Sequence, residues 1–152
     1  PHCASFHTNT LADVKQDYVE TGKVTFVFRD FPLNSSAVAA SLLMKCIPLE
    51  NRYEFMETLF AQQAQWAMDA NFQTTLKQYA SLLGIGSDEA DACMNDKDAE
   101  VTMFETMREA NAQYQVQSTP TFVFLPGEEK IVGAQPYGAF STRIEALLKE
   151  EN

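Results

Sequence analysis

The spacing of the strand-like segments constrains this fold most. Lys23 to Phe31 (KVTFVFRDF) alternates Val24, Phe26 and Phe28 against Thr25, Val27 and Arg29, a strand pattern that Pro32 ends. Its second face is only partly polar, which suits a strand covered on both sides. The next strand-like segments are Thr121 to Leu125 (TFVFL) and Lys130 to Val132, joined across the turn signal Pro126-Gly127. From Asn34 to about Val116 the pattern is helical. The order is therefore helix, strand, helical block, strand, strand, helix, an α/β chain with a helical insertion.

The helices can be placed from their stripes and stops. Residues 2 to 21 read as one helix, with Cys3, Phe6, Thr10, Val14 and Tyr18 at three- and four-residue spacing and Gly22 as the stop. Asn34-Ser35-Ser36 offers an N-cap to a helix with Ala37, Ala40, Leu43 and Met44 on one face, broken at Pro48. Phe55, Met56, Leu59 and Phe60 form a second stripe. Phe72, Leu76, Tyr79, Leu82 and Leu83 form a third, stopped at Gly84. Ser87 is expected to cap a short helix through Cys93, and Val101, Phe104, Met107 and Tyr114 to lie on a longer one. Pro136-Tyr137 opens the last helix, with Phe140, Ile144 and Leu147 or Leu148 inward.

At 152 residues and 45% hydrophobic content the chain is long enough for one packed domain carrying an insertion. No apolar run reaches bilayer length. The net charge of −10 repels phosphates, so no nucleic-acid partner is expected. Asp88, Glu89, Asp91, Asp96, Asp98 and Glu100 crowd one stretch, but without the spacing or the turn glycine of a calcium loop, and they read as a solvated face. His2, Cys3 and His7 lack ligand spacing and a fourth donor, so no metal is expected. His7 reads as a helix residue near the rim of the site. Trp66, Phe72 and Tyr79 read as insertion core or as the wall of a substrate groove. No phosphate loop, nucleophile elbow or paired-carboxylate pattern is present, and no cofactor is expected.

Two short motifs carry the chemistry. Pro1-His2-Cys3 looks like the end of a Cys-Pro-His-Cys redox motif, and Ser118-Thr119-Pro120-Thr121-Phe122 looks like the cis-proline loop that faces one. Together with Arg29-Asp30-Phe31-Pro32-Leu33 and Gly133-Ala134-Gln135-Pro136-Tyr137, they make the chain resemble the DsbA-like thiol:disulfide oxidoreductases over nearly its whole length. The resemblance implies a thioredoxin fold over residues 1–33 and 117–152 with a helical domain, 34–116, inserted after the second strand. The first core strand that the resemblance implies is expected upstream of Pro1.

The resemblance also implies roles. A cysteine at a helix N-terminus sees unpaired N–H groups and the positive end of the helix dipole, and both favour the reactive thiolate. Cys3 would be the resolving sulfur. His2 would add a hydrogen bond or a positive charge. Thr119-Pro120, taken as cis, would aim the Thr119 backbone at an incoming substrate strand. The residue before Pro1 is expected to be the first active-site cysteine, at the end of a buried strand that upstream residues supply. Cys46 and Cys93 are either two buried thiols or, as in some bacterial relatives, a structural disulfide tying the insertion together.

The implied activity is that of a dithiol oxidase introducing disulfides into exported proteins by mixed-disulfide exchange. Its partners would be unfolded or reduced proteins and a membrane or soluble redox partner, and its location periplasmic or otherwise exported. The alternatives are a disulfide isomerase or reductase on the same fold, or a non-redox peptide-binding or chaperone module. A glutathione-using transferase on this fold lacks the paired-cysteine motif.

Overall fold

The computed structural model describes residues 1–150. The chain divides into two compact units, Asp30–Ala110 and Pro1–Arg29 with Asn111–Asn152.

The helical unit starts where the Asn34 carboxamide accepts the Ala37 N–H at 2.9 Å and caps the first helix of the insertion, Ser35–Cys46. Two helices precede it in the chain, α1 (His2–Asn9) and α2 (Leu11–Val14), and Ser35–Cys46 is α3. Pro48 stops α3, and Arg52 donates to the Lys45 and Ile47 carbonyls at 2.8 and 2.9 Å, satisfying acceptors that the helix end leaves open. A 3₁₀ turn, Leu49–Asn51, leads into α4 (Arg52–Ala61), followed by α5 (Gln63–Trp66), α6 (Phe72–Ser81), α7 (Ser87–Met94) and α8 (Lys97–Tyr114). Leu43, Phe55, Leu59, Trp66, Leu76 and Ala80 are central to one apolar core. The Trp66 indole donates to the Leu59 carbonyl at 2.9 Å, so its one polar atom is satisfied inside that core. Phe72 and Tyr79 pack against it. Cys46 at the end of α3 is bonded to Cys93 in α7, with Cα atoms 6.3 Å apart.

Three expectations for this unit need correction. Leu82 follows the end of α6 at Ser81, so the helical stripe no longer governs it and it is 80% exposed. Val101 and Phe104 are exposed because α8 turns Met103 inward instead. The cap of α7 is Gly86, with extended backbone, and Ser87 is the first helical residue.

In the other unit the long first helix is interrupted. Thr10 leaves the helical region (φ −127°, ψ −37°) between α1 and α2, and α2 runs on into a π-helical turn, Lys15–Val19. The expected stripe survives the break: Phe6, Thr10, Val14 and Tyr18 are all buried. Gly22 ends the segment with φ +72°, a conformation that an L side chain rarely adopts. The Tyr18 carbonyl accepts from both Lys23 and Val24 N–H there.

The sheet of the described residues has two strands. β1 (Thr121–Phe124) and β2 (Glu129–Val132) pair antiparallel, with Thr121 opposite Val132 and Phe124 opposite Glu129. α9 (Tyr137–Glu150) closes the unit, burying Phe140 and Ile144 and turning Leu148 onto the core. The segment Lys23 to Phe31 is not a strand of this sheet. A strand is defined by ladder hydrogen bonds, and no described segment lies beside it to make them. Its side chains still alternate: Phe26 joins the core and meets the Phe28 ring at 4.8 Å, whereas Val27 is exposed rather than covered.

Candidate functional site

α1 presents its residues in stripes four apart. Thr8 Oγ1 donates to the Ala4 carbonyl at 2.9 Å, and the Asn9 amide donates to Ser5 Oγ at 3.3 Å, both on the solvent side. Phe6 and Thr10 form the buried stripe. Cys3 lies between these two sides, half-buried, and is the free cysteine among the described residues. His2 and Pro1 beside it are exposed. The Pro1 carbonyl accepts the Ser5 N–H at 2.9 Å, so Cys3 sits within a formed first turn. No acidic side chain lies in that turn to offset the positive helix end.

Phe6, one turn beyond Cys3, anchors α1. Its ring lies 4.4 Å from that of Phe122 and 5.2 Å from that of Phe140, and Phe122 meets Phe140 edge-on at 4.7 Å. Such tilted pairs suit the ring quadrupoles and add to the burial of three large side chains. Phe122 stands two residues after Pro120, so one aromatic cluster fixes both the cysteine helix and the strand that the proline opens.

The proline loop is held on its own account. The Thr119–Pro120 peptide is cis. The Pro120 carbonyl accepts the Gly133 N–H at 2.8 Å, one step beyond the β1–β2 register. Thr121 Oγ1 donates to the Ser118 carbonyl at 2.7 Å and folds the loop back on itself. The same Gly133 carbonyl accepts the Gln135 N–H at 2.9 Å, and the Gln135 carbonyl accepts from Thr10 Oγ1 at 3.4 Å. The break in the first helix is thus tied to the segment that holds Pro120. Gly133 has φ +82°, which favours glycine at this junction.

A second polar contact was not visible in the sequence. Tyr137 at the start of α9 donates to Asp17 Oδ2 at 2.6 Å across 120 positions. That hydrogen bond to a carboxylate, helped by Tyr18, holds the Tyr137 phenol well above the usual tyrosine range. Among the described residues no group of three or more His, Cys, Asp or Glu gathers as a metal site, and no helix is long and apolar enough to cross a membrane.

The thioredoxin family profile matches residues 1–146. A Rickettsia felis protein named "Putative protein-disulfide oxidoreductase" is 29% identical over 99% of this chain, which spans 54% of that relative. The chain spans about half the length of the curated relatives it matches first. Among solved structures, Wolbachia pipientis alpha-DsbA1 superposes with a TM-score of 0.87 at 25% identity, over 98% of this chain and 80% of that one. A protein-disulfide isomerase from Novosphingobium aromaticivorans superposes at 0.80, with 20% identity, over 97% and 86% of the two chains. Because the match runs through both units and not over one motif, the chain belongs to the thioredoxin family, in the DsbA-like form of its fold, with a helical unit inserted in the thioredoxin-like one.

Proposed function

We propose that this chain is the working part of a DsbA-like thiol:disulfide oxidoreductase that introduces disulfides into exported proteins. The observation that carries this reading is the half-buried free Cys3 in the first turn of α1, on a helix packed through Phe6 against the strand that Pro120 opens. Cys3 is the resolving sulfur. In the oxidised form it is bonded to the cysteine expected ahead of Pro1: a substrate thiolate attacks that cysteine, the bond to Cys3 breaks and Cys3 leaves as thiolate. A second substrate thiolate then attacks the substrate sulfur of the mixed disulfide, so the substrate disulfide forms and the enzyme is left as the dithiol. His2 and Pro1 flank Cys3 and shape access to it.

Thr119 is the docking backbone. Its N–H and C=O make no hydrogen bond among the described residues, which suits pairing with an extended substrate segment. The substrates are reduced or unfolded proteins, the re-oxidising partner is a membrane or soluble redox protein, and the compartment is an oxidising, exported one such as the periplasm. The name of the Novosphingobium structure keeps isomerase action as the second reading.

Paired assays on the natural full-length protein, insulin reduction and oxidative refolding of reduced ribonuclease, test this. Fast refolding with slow insulin reduction is the expected result. Fast insulin reduction with slow refolding moves the chain to the reductase or isomerase side. Silence in both leaves a peptide-binding module and ends the redox reading.

A further inference from the structure

We propose that Asp17 and Tyr137 are a positioning pair for substrate docking, which rests on the redox reading above: their hydrogen bond holds the segment 133–137 in place, and that segment holds the loop from which Thr119 offers its backbone. The bond is short, 2.6 Å from the Tyr137 hydroxyl to Asp17 Oδ2, and joins the start of α9 to the turn that follows α2. A hydroxyl donating to a carboxylate is among the stronger hydrogen bonds that side chains make.

The anchor is firmly held. The Glu20 N–H donates to the Lys15 carbonyl at 2.9 Å, five residues back, so Asp17 and Tyr18 stand in a π-wound turn. Such turns are rare and gather at functional sites. Consecutive residues of an α-helix face different ways. Here both reach one phenol, since Tyr18 also hydrogen-bonds Tyr137. Tyr18 is buried in the core with Phe6, Val14 and Phe140, and Tyr137 packs against the same core. Thr21 Oγ1 donates to the Asp17 carbonyl at 2.8 Å and fixes its backbone.

From Tyr137 the restraint runs back to the loop over a few residues. Pro136 has its φ fixed by the ring. The Gln135 side-chain amide donates to the Val132 carbonyl at 3.2 Å, and the Gln135 N–H to the Gly133 carbonyl at 2.9 Å. The Gly133 N–H then donates to the Pro120 carbonyl at 2.8 Å, and Thr119 is joined directly to Pro120. The other polar tie between the first-helix segment and 133–137 is the longer Thr10–Gln135 contact of 3.4 Å. Without the Asp17–Tyr137 bond the segment therefore loses its shorter tie, and a looser loop makes an extended substrate pay more ordering entropy on pairing.

Two readouts on the natural full-length protein test this. The first is hydrogen exchange of the Gly133 amide, with the amides of α3 and α6 as internal controls. Y137F and D17A should exchange it about three- to tenfold faster while the controls hold, and D17N, which keeps a carbonyl acceptor, should restore protection. Asp17 is exposed, so D17A carries the test should Y137F fail to fold. The second readout compares oxidation of a reduced cysteine peptide with that of dithiothreitol, which is too small to pair along the Thr119 backbone. The peptide-to-dithiothreitol rate ratio should fall about two- to fivefold in Y137F and D17A, with the loss in KM rather than kcat, and return in D17N. Native Gly133 exchange in both variants, or an unchanged rate ratio, overturns the proposal. A natural protein that oxidises neither substrate ends the redox reading, and the docking role with it. One that oxidises both, with its variants at the native ratio, keeps the redox reading and loses only the pair.

Discussion

Phe6 is the residue on which the sulfur's position depends, because its ring meets Phe122 from β1 and Phe140 from α9 within one cluster. Truncating it leaves a cavity beneath the cysteine turn. Phe6→Ala is expected to lower the unfolding free energy by about 3–5 kcal/mol, read from urea melts, and to speed alkylation of Cys3 in the folded state. Tyr137 gives a spectroscopic prediction. Its phenol is held neutral by the bond to Asp17, so of the five tyrosines one should ionise late in an alkaline titration followed by phenolate absorbance. Y137F should remove that late step. The sign follows from the raised value: any stabilisation from this bond is complete below the ordinary tyrosine pKa of about 10 and is lost as pH climbs through the raised folded one. Single residues differ in how far the sequence discloses them. The candidate residues Pro1, His2, Cys3, Thr119 and Pro120 stand in two contiguous motifs, and the cis Thr119–Pro120 bond expected from the second is present. The Tyr137–Asp17 bond spans 120 positions, and no local pattern announces it.

At the scale of elements, caps and stops were legible wherever a side chain satisfies a helix end. Asn34 is the clearest case, and Asn34→Ala is expected to cost about 1 kcal/mol in thermal or urea unfolding. Helix ends without a side-chain partner were misplaced by a residue, as at Gly86, because nothing in the side chains marks them. The break at Thr10 escaped for a different reason. The apolar stripe continues through it with unchanged spacing, so periodicity alone reads one helix. Lys23 to Phe31 shows the limit for strands. Alternation was legible and is present in the Phe26–Phe28 pair, but pairing is a property of two segments, and no described segment supplies the second. The α3–α7 link closes a loop 47 positions long, and its removal by C46A/C93A is expected to lower stability by up to about 4 kcal/mol while leaving Cys3 alkylation unchanged.

At the scale of the molecule, two apolar cores form in two units, and the family match covers both. The insertion was legible from the length of helical pattern between strand-like segments, which no single thioredoxin-like unit accommodates. The proposed chemistry is confined to one unit: Cys3 and the Thr119–Pro120 loop both belong to the sequence-discontinuous one. The single tryptophan belongs to the other, buried in the helical core with its N–H bonded to Leu59. Its fluorescence is therefore a natural reporter for the helical half, while thiol reactivity reports on the half that bears the sulfur. Followed together through one denaturant series, the two signals give the molecule an internal stopwatch for whether its halves come apart as one or in turn.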